Sequence, residues 1–272
     1  MTCSDDSVSE ALYQSLFQAP PLLGHLPEAT AFPCDSLVAP EQATPLNFQQ
    51  KLGHLYEDAL AVMLESTPRF DALAKNLQIR EESGQTLGEL DYLVRDLVSN
   101  KLIHLELAVK FYLAVETGTG FLLPGPDARD NYFRKLEKMR SHQLLLVDQN
   151  RHLIPEKFRQ LEIDVQQLMH GCIFNHVHAG KPVEAEFLNP LGRRGKWLRA
   201  QECVEYFGEN AQLEMIPKPL WPVPLEIMDE IKLEKWTPYK TIDRCVMVRA
   251  NCERAPYFIA PNGYPLSRED LG

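Results

Sequence analysis

The chain has 272 residues, 44% of them hydrophobic and 24% charged, which is enough apolar material for one large globular domain or two small ones. No apolar run reaches the roughly 18 to 20 residues of a membrane-spanning helix. The N-terminus MTCSDDSVSE also lacks the basic-then-apolar order of a signal peptide, so we expect a cytoplasmic protein without a membrane partner. The formal net charge of −10 argues against a generic polyanion binder, so any nucleic-acid contact would need a local basic patch. Six cysteines without a CxxC pair favour reduced thiols.

The pattern of prolines divides the chain. Residues 1–45 alternate short helical pieces with proline-rich connectors, which predicts an N-terminal arm draped over a domain. No clean linker interrupts residues 46–272, so we expect a single α/β domain there, with a core over 47–145 and a C-terminal elaboration over 146–272. Within the elaboration, the segments CIFNHVHA, RCVMVRA and PYFIA predict strands.

The predicted core begins with a helix and continues as strands. Apolar residues recur at three-and-four spacing from Asn47, the expected N-cap, to Glu65, which predicts an amphipathic helix. In residues 70–115, apolar residues either alternate with polar ones or form continuous runs, and the turn-like segments SGQ and SNK interrupt them. This pattern predicts three consecutive antiparallel strands. A second helix is expected after Asp127 as its cap. The residues expected on the buried face of this helix are Tyr132, Leu136, Met139 and Gln143, of which the last is polar.

Two of these strands, GELDYLV and HLELAVK, carry acids on one face. Residues two apart on a strand share a face, so Asp91 alternates with apolar neighbours, and Glu106 shares its face with Ala108 and Lys110. If the strands pair as a hairpin across SNK, Asp91 and Glu106 converge. Two half-buried carboxylates repel each other, and a hard divalent cation relieves that repulsion. The sequence therefore predicts a Mg²⁺ (or Mn²⁺) site at Asp91 and Glu106.

Three further side chains are candidates for catalysis beside this metal site. Lys110 would orient a water molecule or stabilise developing charge. Glu57, on the flank of the first helix, would lean over the sheet edge, and Gln143 would come from the second helix. A cation, two acids and a lysine are suited to phosphodiester hydrolysis, so we predict a nucleic-acid substrate, either DNA or RNA.

At these residues the chain resembles the PD-(D/E)xK nuclease superfamily, in which a helix with a Glu precedes strands reading like GEIDL and VEVK. The resemblance covers roughly residues 47–145 and implies a restriction-endonuclease-like core, a central mixed sheet flanked by helices. It implies that Asp91 and Glu106 bind Mg²⁺, that a lysine is catalytic, and that Glu57 and Gln143 support them. The segments EDALAVMLE, ELAVKFYL and PNGYP also resemble an uncharacterised bacterial family, a domain of unknown function whose core is grouped with this superfamily.

One position departs from the superfamily pattern, because Ala108 stands where the lysine is expected. Lys110 lies on the same face, about 6.6 Å further along the strand, a displacement that its flexible side chain could partly recover. Alternatively, Lys110 keeps the usual place and Glu106 serves from one step earlier. Two functions therefore stay open: an Mg²⁺-dependent nuclease, or a catalytically inactive nuclease-like fold that binds protein or nucleic acid.

Basic residues gather once, around a tryptophan, in NPLGRRGKWLRAQE. Interleaved cations and aromatic rings are typical of surfaces on which single-stranded nucleic acid stacks, and a solvated loop is the alternative. The residues predicted to bind nucleic acid are Arg193, Arg194, Lys196, Trp197 and Arg199.

A second cluster, in MHGCIFNHVH, places His170, Cys172, His176 and His178 on one face of a strand. Nitrogen and sulfur ligands suit Zn²⁺. Successive same-face residues are about 6.6 Å apart, however, which is too far for four of them to share one ion. We therefore expect a histidine-rich strand or turn near a substrate groove rather than a metal centre.

Overall fold

The protein is described from a computed structural model, which covers residues 5–42, 44–250 and 253–265. None of the helices in these ranges is long and apolar enough to cross a membrane. A π-helical segment, Met139–Gln143, directly follows the third α-helix. The α-helices are α1 (Asp5–Gln18), α2 (Leu52–Ser66), α3 (Tyr132–Lys138), α4 (Leu146–Gln149), α5 (Glu156–Arg159) and α6 (Cys203–Phe207).

Strands make up most of the remaining regular structure. They are β1 (Thr30–Ala31), β2 (Phe70–Arg80), β3 (Thr86–Asp96), β4 (Lys101–Leu113), β5 (Val115–Thr117), β6 (Gly120–Leu122), β7 (Ile163–His176), β8 (Arg194–Arg199), β9 (Leu213–Ile216), β10 (Glu234–Trp236), β11 (Val246–Ala250) and β12 (Tyr257–Ala260).

Ten of these strands form one mixed sheet, in the order β10-β9-β11-β12-β8-β7-β4-β3-β2, with β1 added beside β7. The predicted meander β2-β3-β4 is antiparallel throughout, which confirms the prediction for this region. The chain then passes through α3 to α5 and returns as β7, which pairs with β4 in parallel over twelve residues. The fold is therefore mixed α/β, with a large central sheet flanked by helices.

Helices cover both faces of the sheet. α1 and α2 pack against odd-numbered residues of β4, such as Leu105 and Leu107, in the largest cluster of buried side chains. α3 packs on the opposite face, where Tyr132 and Leu136 join Tyr112 in a second cluster. The even-numbered residues of β4 therefore face α3 and the π-helical segment, and this layer contains the acidic site.

Several element boundaries differ from their predicted positions. The first helix begins at Leu52 with Lys51 as its N-cap, not at Asn47, whose side chain instead accepts a hydrogen bond from the backbone of Gln49. The second helix is capped by Asn131 rather than Asp127. Asp127 pairs with the exposed Arg129. In both cases a residue that favours caps makes a local turn a few positions upstream of the helix.

The N-terminal arm is part of the core. α1 contributes fully buried leucines to the same cluster as α2, and β1 adds hydrogen bonds to β7. Four cysteines are buried free thiols, whereas Cys3 and Cys252 lie outside the described residues. The free thiols are Cys34, Cys172, Cys203 and Cys245.

Candidate active site

The acidic pair lies where two paired strands diverge. β3 and β4 pair from Asp96 and Lys101 up to Tyr92 and Leu105. Beyond that pair, β3 continues beside β2, and β4 continues beside β7. Asp91 and Glu106 are the next residues on the two strands, so they stand at the opening of the fork and on the face covered by α3.

At this fork, the side chain of Asp91 hydrogen-bonds a backbone N–H of β4 that no longer pairs with the backbone of β3. Its Oδ2 accepts a hydrogen bond of 2.8 Å from the backbone N–H of Leu107, which β3 no longer pairs. Burial and then the nearby charge of Glu106 raise the pKa of Asp91 from its ordinary value to about 7, more than the Leu107 hydrogen bond lowers it. Asp91 is thus a half-buried acid that titrates near neutral pH.

Glu106 is almost fully buried, with 3% of its surface exposed, and both of its oxygens are hydrogen-bonded. His104, two residues earlier on the same face, donates from Nε2 to Oε1 at 2.9 Å. Gln143 donates from Nε2 to Oε2 at 2.8 Å. A buried carboxylate needs such donors, because desolvation otherwise disfavours its charge. These contacts fix the orientation of Glu106.

A lysine from α3 completes this network. Lys135 donates from Nζ to Oε1 of Gln143 at 2.8 Å, so the Gln143 amide joins Lys135 to Glu106. Burial lowers the pKa of Lys135, and the positive charge of Lys110 lowers it further, while Glu106 and Asp91 oppose the shift. The π-helical segment positions Gln143 for this contact, because the backbone N–H of Leu144 reaches back five residues to Met139.

Lys110, predicted as the catalytic lysine, is engaged elsewhere. Its Nζ donates to Oδ2 of Asp130 at 2.6 Å, next to the Asn131 cap of α3. The ammonium linked to the acidic pair belongs to Lys135.

Glu57 occupies the opposite side of the sheet, on α2. Its backbone carbonyl accepts a hydrogen bond from the Tyr92 hydroxyl, and its carboxylate lies 3.4 Å from Nδ1 of His54. Its charge contributes to raising the pKa of Asp91, though less than that of Glu106. Glu57 thus lies near the pair without a hydrogen bond to either acid in the described structure.

The acidic pair has the ligand chemistry of a Mg²⁺ site with few protein ligands. Mg²⁺ is commonly held by one or two carboxylates, with water and substrate phosphates filling its other positions. Within the described ranges, no group of three or more His, Cys, Asp or Glu side chains is arranged to hold a metal ion. Asp91 and Glu106 would therefore be two oxygen ligands of such an ion, which would also relieve their mutual repulsion.

The basic segment around Trp197 is occupied by internal contacts. Trp197 is only 2% exposed and donates from its indole to the carbonyl of Ala114 at 2.8 Å, so stacking on a base would require local unfolding. Arg193 donates to the carbonyls of Trp221 and Val223. The other predicted contacts are also engaged: Arg194 with Val183, Lys196 with Glu253 and Arg199 with the carbonyl of Tyr264. We therefore do not assign nucleic-acid binding to this segment.

The histidine-rich strand is also internal for most of its length. His170 and Cys172 are buried in β7, and His170 Nδ1 is hydrogen-bonded to the Tyr56 hydroxyl at 2.5 Å. Burial lowers the pKa of His170 to about 3, so its ring is neutral at physiological pH. His176 contacts Glu202 at the end of the strand, and His178 lies beyond it. These residues do not converge on one point.

Sequence reasoning missed two members of the acidic network, His104 and Lys135. His104 carried a usable signal, since it stands two residues before Glu106 and therefore shares its strand face. Lys135 flanks the apolar stripe of α3 at Leu136, where a lysine is ordinarily read as solvent-exposed. Its approach to Gln143 depends on the π-helical turn, which the apolar periodicity did not indicate.

Comparison with known proteins identifies a family without assigning a reaction. No curated protein and no solved structure matches the chain. A family model described as a domain of unknown function, DUF1853, matches residues 13–260, which include every residue of the acidic network. The chain therefore belongs to the DUF1853 family.

Proposed function

We propose that this protein is a metal-dependent nuclease that hydrolyses phosphodiester bonds in DNA or RNA at the Asp91–Glu106 pair. One observation carries the proposal: two carboxylates from neighbouring strands stand side by side at a fork in the sheet, and Gln143 joins one of them to a half-buried lysine. The likeness of GELDYLV and HLELAVK to the PD-(D/E)xK motifs supports a restriction-endonuclease-like core.

Each residue of the network has a separate role in this proposal. Asp91 and Glu106 would hold Mg²⁺, which when bound supplies Lewis-acid activation of a phosphate oxygen and acidifies a water molecule. Lys135 donates hydrogen bonds to the phosphate or to the attacking water and stabilises the charge that develops on oxygen. Gln143 holds Lys135 and Glu106 at a fixed separation, and His104 prevents Glu106 from turning away.

The test has two measurements on the same variants. The first is a calorimetric titration of Mn²⁺, a surrogate for Mg²⁺, into wild-type and Asp91→Asn protein at a pH above 7, where Asp91 is ionised. The second is hydrolysis of labelled single- and double-stranded DNA and RNA in Mg²⁺. We expect saturable binding by the wild type, weakening by at least about tenfold in Asp91→Asn, and hydrolysis only by the wild type.

Glu89→Gln is the matched control, because Glu89 is an exposed acid two residues from Asp91 on the same strand. It should bind Mn²⁺ and cleave like the wild type. If the wild type neither binds Mn²⁺ nor cleaves any of the four substrates, the nuclease proposal is wrong, and the same fold is better explained as a catalytically inactive binding module.

A further inference from the structure

A groove with a volume of about 950 Å³ opens at the C-terminal half of β4, next to the start of α2. It is lined by the start of α2, the second half of β4, the segment before α3, and parts of β9 and β11. Val109, Lys110 and Phe111 line it along the edge of β4 that β3 leaves when the two strands diverge. The volume is near the upper end of the range for ligand pockets, about 300 to 1,000 Å³.

The charge of the groove is opposite to that of the chain. Its lining contains five lysines and arginines and three aspartates, whereas the whole chain carries a formal charge of −10. Three cations lie within 4 Å of an aspartate carboxylate. These pairs are Lys110–Asp130, Arg129–Asp127 and Arg244–Asp243. Lys51 and Lys218 are exposed and form no ion pair within the described residues, although the charge of Lys218 helps to lower the pKa of Asp127. Five cations against three carboxylates leave the lining a net positive charge.

An aromatic ring lies next to one of these cations. Trp221 is half-buried in the groove wall, and the Nζ of Lys218 lies 5.8 Å from its ring centroid. Phe111 packs edgewise on Trp221 with ring centroids 5.6 Å apart, and the indole N–H donates to the carbonyl of Ile216 at 3.0 Å. A ring fixed in this way, with a neighbouring ammonium, is a platform for a nucleobase and its phosphate.

Lys110 is the residue of the groove lining that shares its strand face with Glu106. Lys110 lines the groove and anchors to Asp130 at the start of α3. Lys135, further along α3, is near enough to Lys110 for the two charges to repel each other, and it reaches Glu106 through Gln143. Lys110 and Lys135 therefore place two positive charges in succession between the groove lining and Glu106.

We infer that this groove binds a single strand of nucleic acid, with a base on Trp221 and phosphates against Lys218 and Lys51, and directs its backbone to Asp91 and Glu106. The inference rests on the proposed function for the role of the acidic pair. A single strand is favoured because its bases present their faces for stacking, which a duplex does not. The base–aromatic contact distinguishes this groove from a purely electrostatic surface.

The binding test uses labelled single-stranded DNA and RNA oligonucleotides of roughly 12 nucleotides, with EDTA present to prevent cleavage. Fluorescence anisotropy is measured over a series of salt concentrations for wild type, Lys51→Ala and Lys218→Ala. Removing one phosphate contact should reduce the slope of log affinity against log salt by about 0.7. Lys181→Ala is the control, because Lys181 is an exposed lysine outside the groove lining, and its slope should equal that of the wild type.

A spectroscopic readout tests the stacking contact. The chain has three tryptophans, and both Trp197 and Trp236 are only 2% exposed. Binding should therefore quench tryptophan fluorescence through Trp221, and Trp221→Phe should bind with the quenching lost. If Trp221→Phe fails to fold, as judged by circular dichroism, the lysine variants still decide the matter.

The outcomes separate the two proposals. Absence of saturable oligonucleotide binding, equal salt slopes for the groove and control variants, or tighter binding of duplex than of single strands would overturn the groove assignment. If hydrolysis nevertheless depends on Asp91, the nuclease proposal survives. Conversely, binding that depends on Lys51 and Lys218 in a protein that neither binds Mn²⁺ nor cleaves any substrate supports the groove and overturns the nuclease.

Discussion

At the residue scale, the position of the ammonium group decides which lysine acts at the acidic pair. Lys135 is joined to Glu106 through Gln143, whereas Lys110 pairs with Asp130. For the proposed phosphodiester hydrolysis, we expect Lys135→Met to lower kcat/KM by roughly 10² to 10³, the loss typical of removing one charge-stabilising donor. Lys110→Met should cost about tenfold or less, because Lys110 lines the groove and anchors the start of α3 but makes no hydrogen bond to the acidic pair.

Urea denaturation of both lysine variants separates catalytic loss from unfolding. The free energy of unfolding of Lys135→Met should stay close to that of the wild type, since the substitution relieves the desolvation of a half-buried ammonium. A larger loss of activity in Lys110→Met than in Lys135→Met would contradict the assignment and restore Lys110 as the catalytic lysine.

The raised pKa of Asp91 predicts how the stability of the protein depends on pH. Its pKa is about 7 in the folded protein, above the ordinary value of 3.8, so between these values the unfolded chain binds fewer protons than the folded one. The contribution of Asp91 to stability is therefore present below pH 4 and is lost as pH rises through 7. Asp91→Asn removes this dependence, so the metal-free variant should gain stability relative to the wild type between pH 5 and 8.

The measurement is the free energy of unfolding in urea, with EDTA, at several pH values. Glu89→Gln serves again as the control, and its difference from the wild type should be flat with pH because Glu89 is exposed. A difference between Asp91→Asn and wild type that does not change over this range would mean that Asp91 is ionised throughout.

At the scale of elements, the pairing of β7 with β4 beside Lys110 depends on a glycine with a positive φ. Gly171 pairs with Lys110 in register, has a φ of +151°, and would place a Cβ only 1.6 Å from the Lys110 carbonyl oxygen. Gly171→Ala must therefore separate the strands, and we expect it to lower the free energy of unfolding by more than about 2 kcal/mol.

Gly180→Ala is the matched control for the glycine substitution, because nothing lies within 4 Å of a Cβ at that exposed position. It should change stability by less than about 0.5 kcal/mol. Equal urea midpoints for the two alanine variants would show that the strands can separate at Lys110 without cost.

Elements that leave a regular local pattern in the sequence could be predicted, whereas contacts that leave no such pattern could not. The meander β2-β3-β4 was predictable because its alternation of apolar residues and its turns are local signals. The junction of α3 with the π-helical segment was not, because a five-residue backbone contact leaves no period in the sequence. Lys135 was missed for that reason. The convergence of Asp91 and Glu106 could be anticipated only on the assumption that their strands pair.

At the scale of the whole molecule, the basic segment 193–199 shows what a linear pattern cannot convey. Its cations and tryptophan read as a binding surface, yet β8 runs between β7 and β12 in the middle of the sheet. The guanidinium of Arg193 and the indole N–H of Trp197 donate hydrogen bonds to backbone carbonyls from distant segments. The groove assigned above instead collects Lys51, Trp221 and Lys218 from two segments far apart in the chain, so no local motif could indicate it.

The N-terminal arm also acquires its role only in the complete fold. Leu16 of α1 is fully buried in the cluster that contains α2, β4 and, near the other end of the described chain, Tyr264. Because one continuous core includes both ends of the described chain, we expect the protein to unfold as a single cooperative unit, with coincident circular-dichroism and tryptophan-fluorescence transitions in urea.

Leu16→Ala should lower the free energy of unfolding by about 2 to 5 kcal/mol, because it removes a fully buried side chain from this core. Glu10→Ala, on the exposed side of the same helix, should have little effect. An arm that merely drapes over an independent domain would instead leave the main transition of Leu16→Ala unchanged.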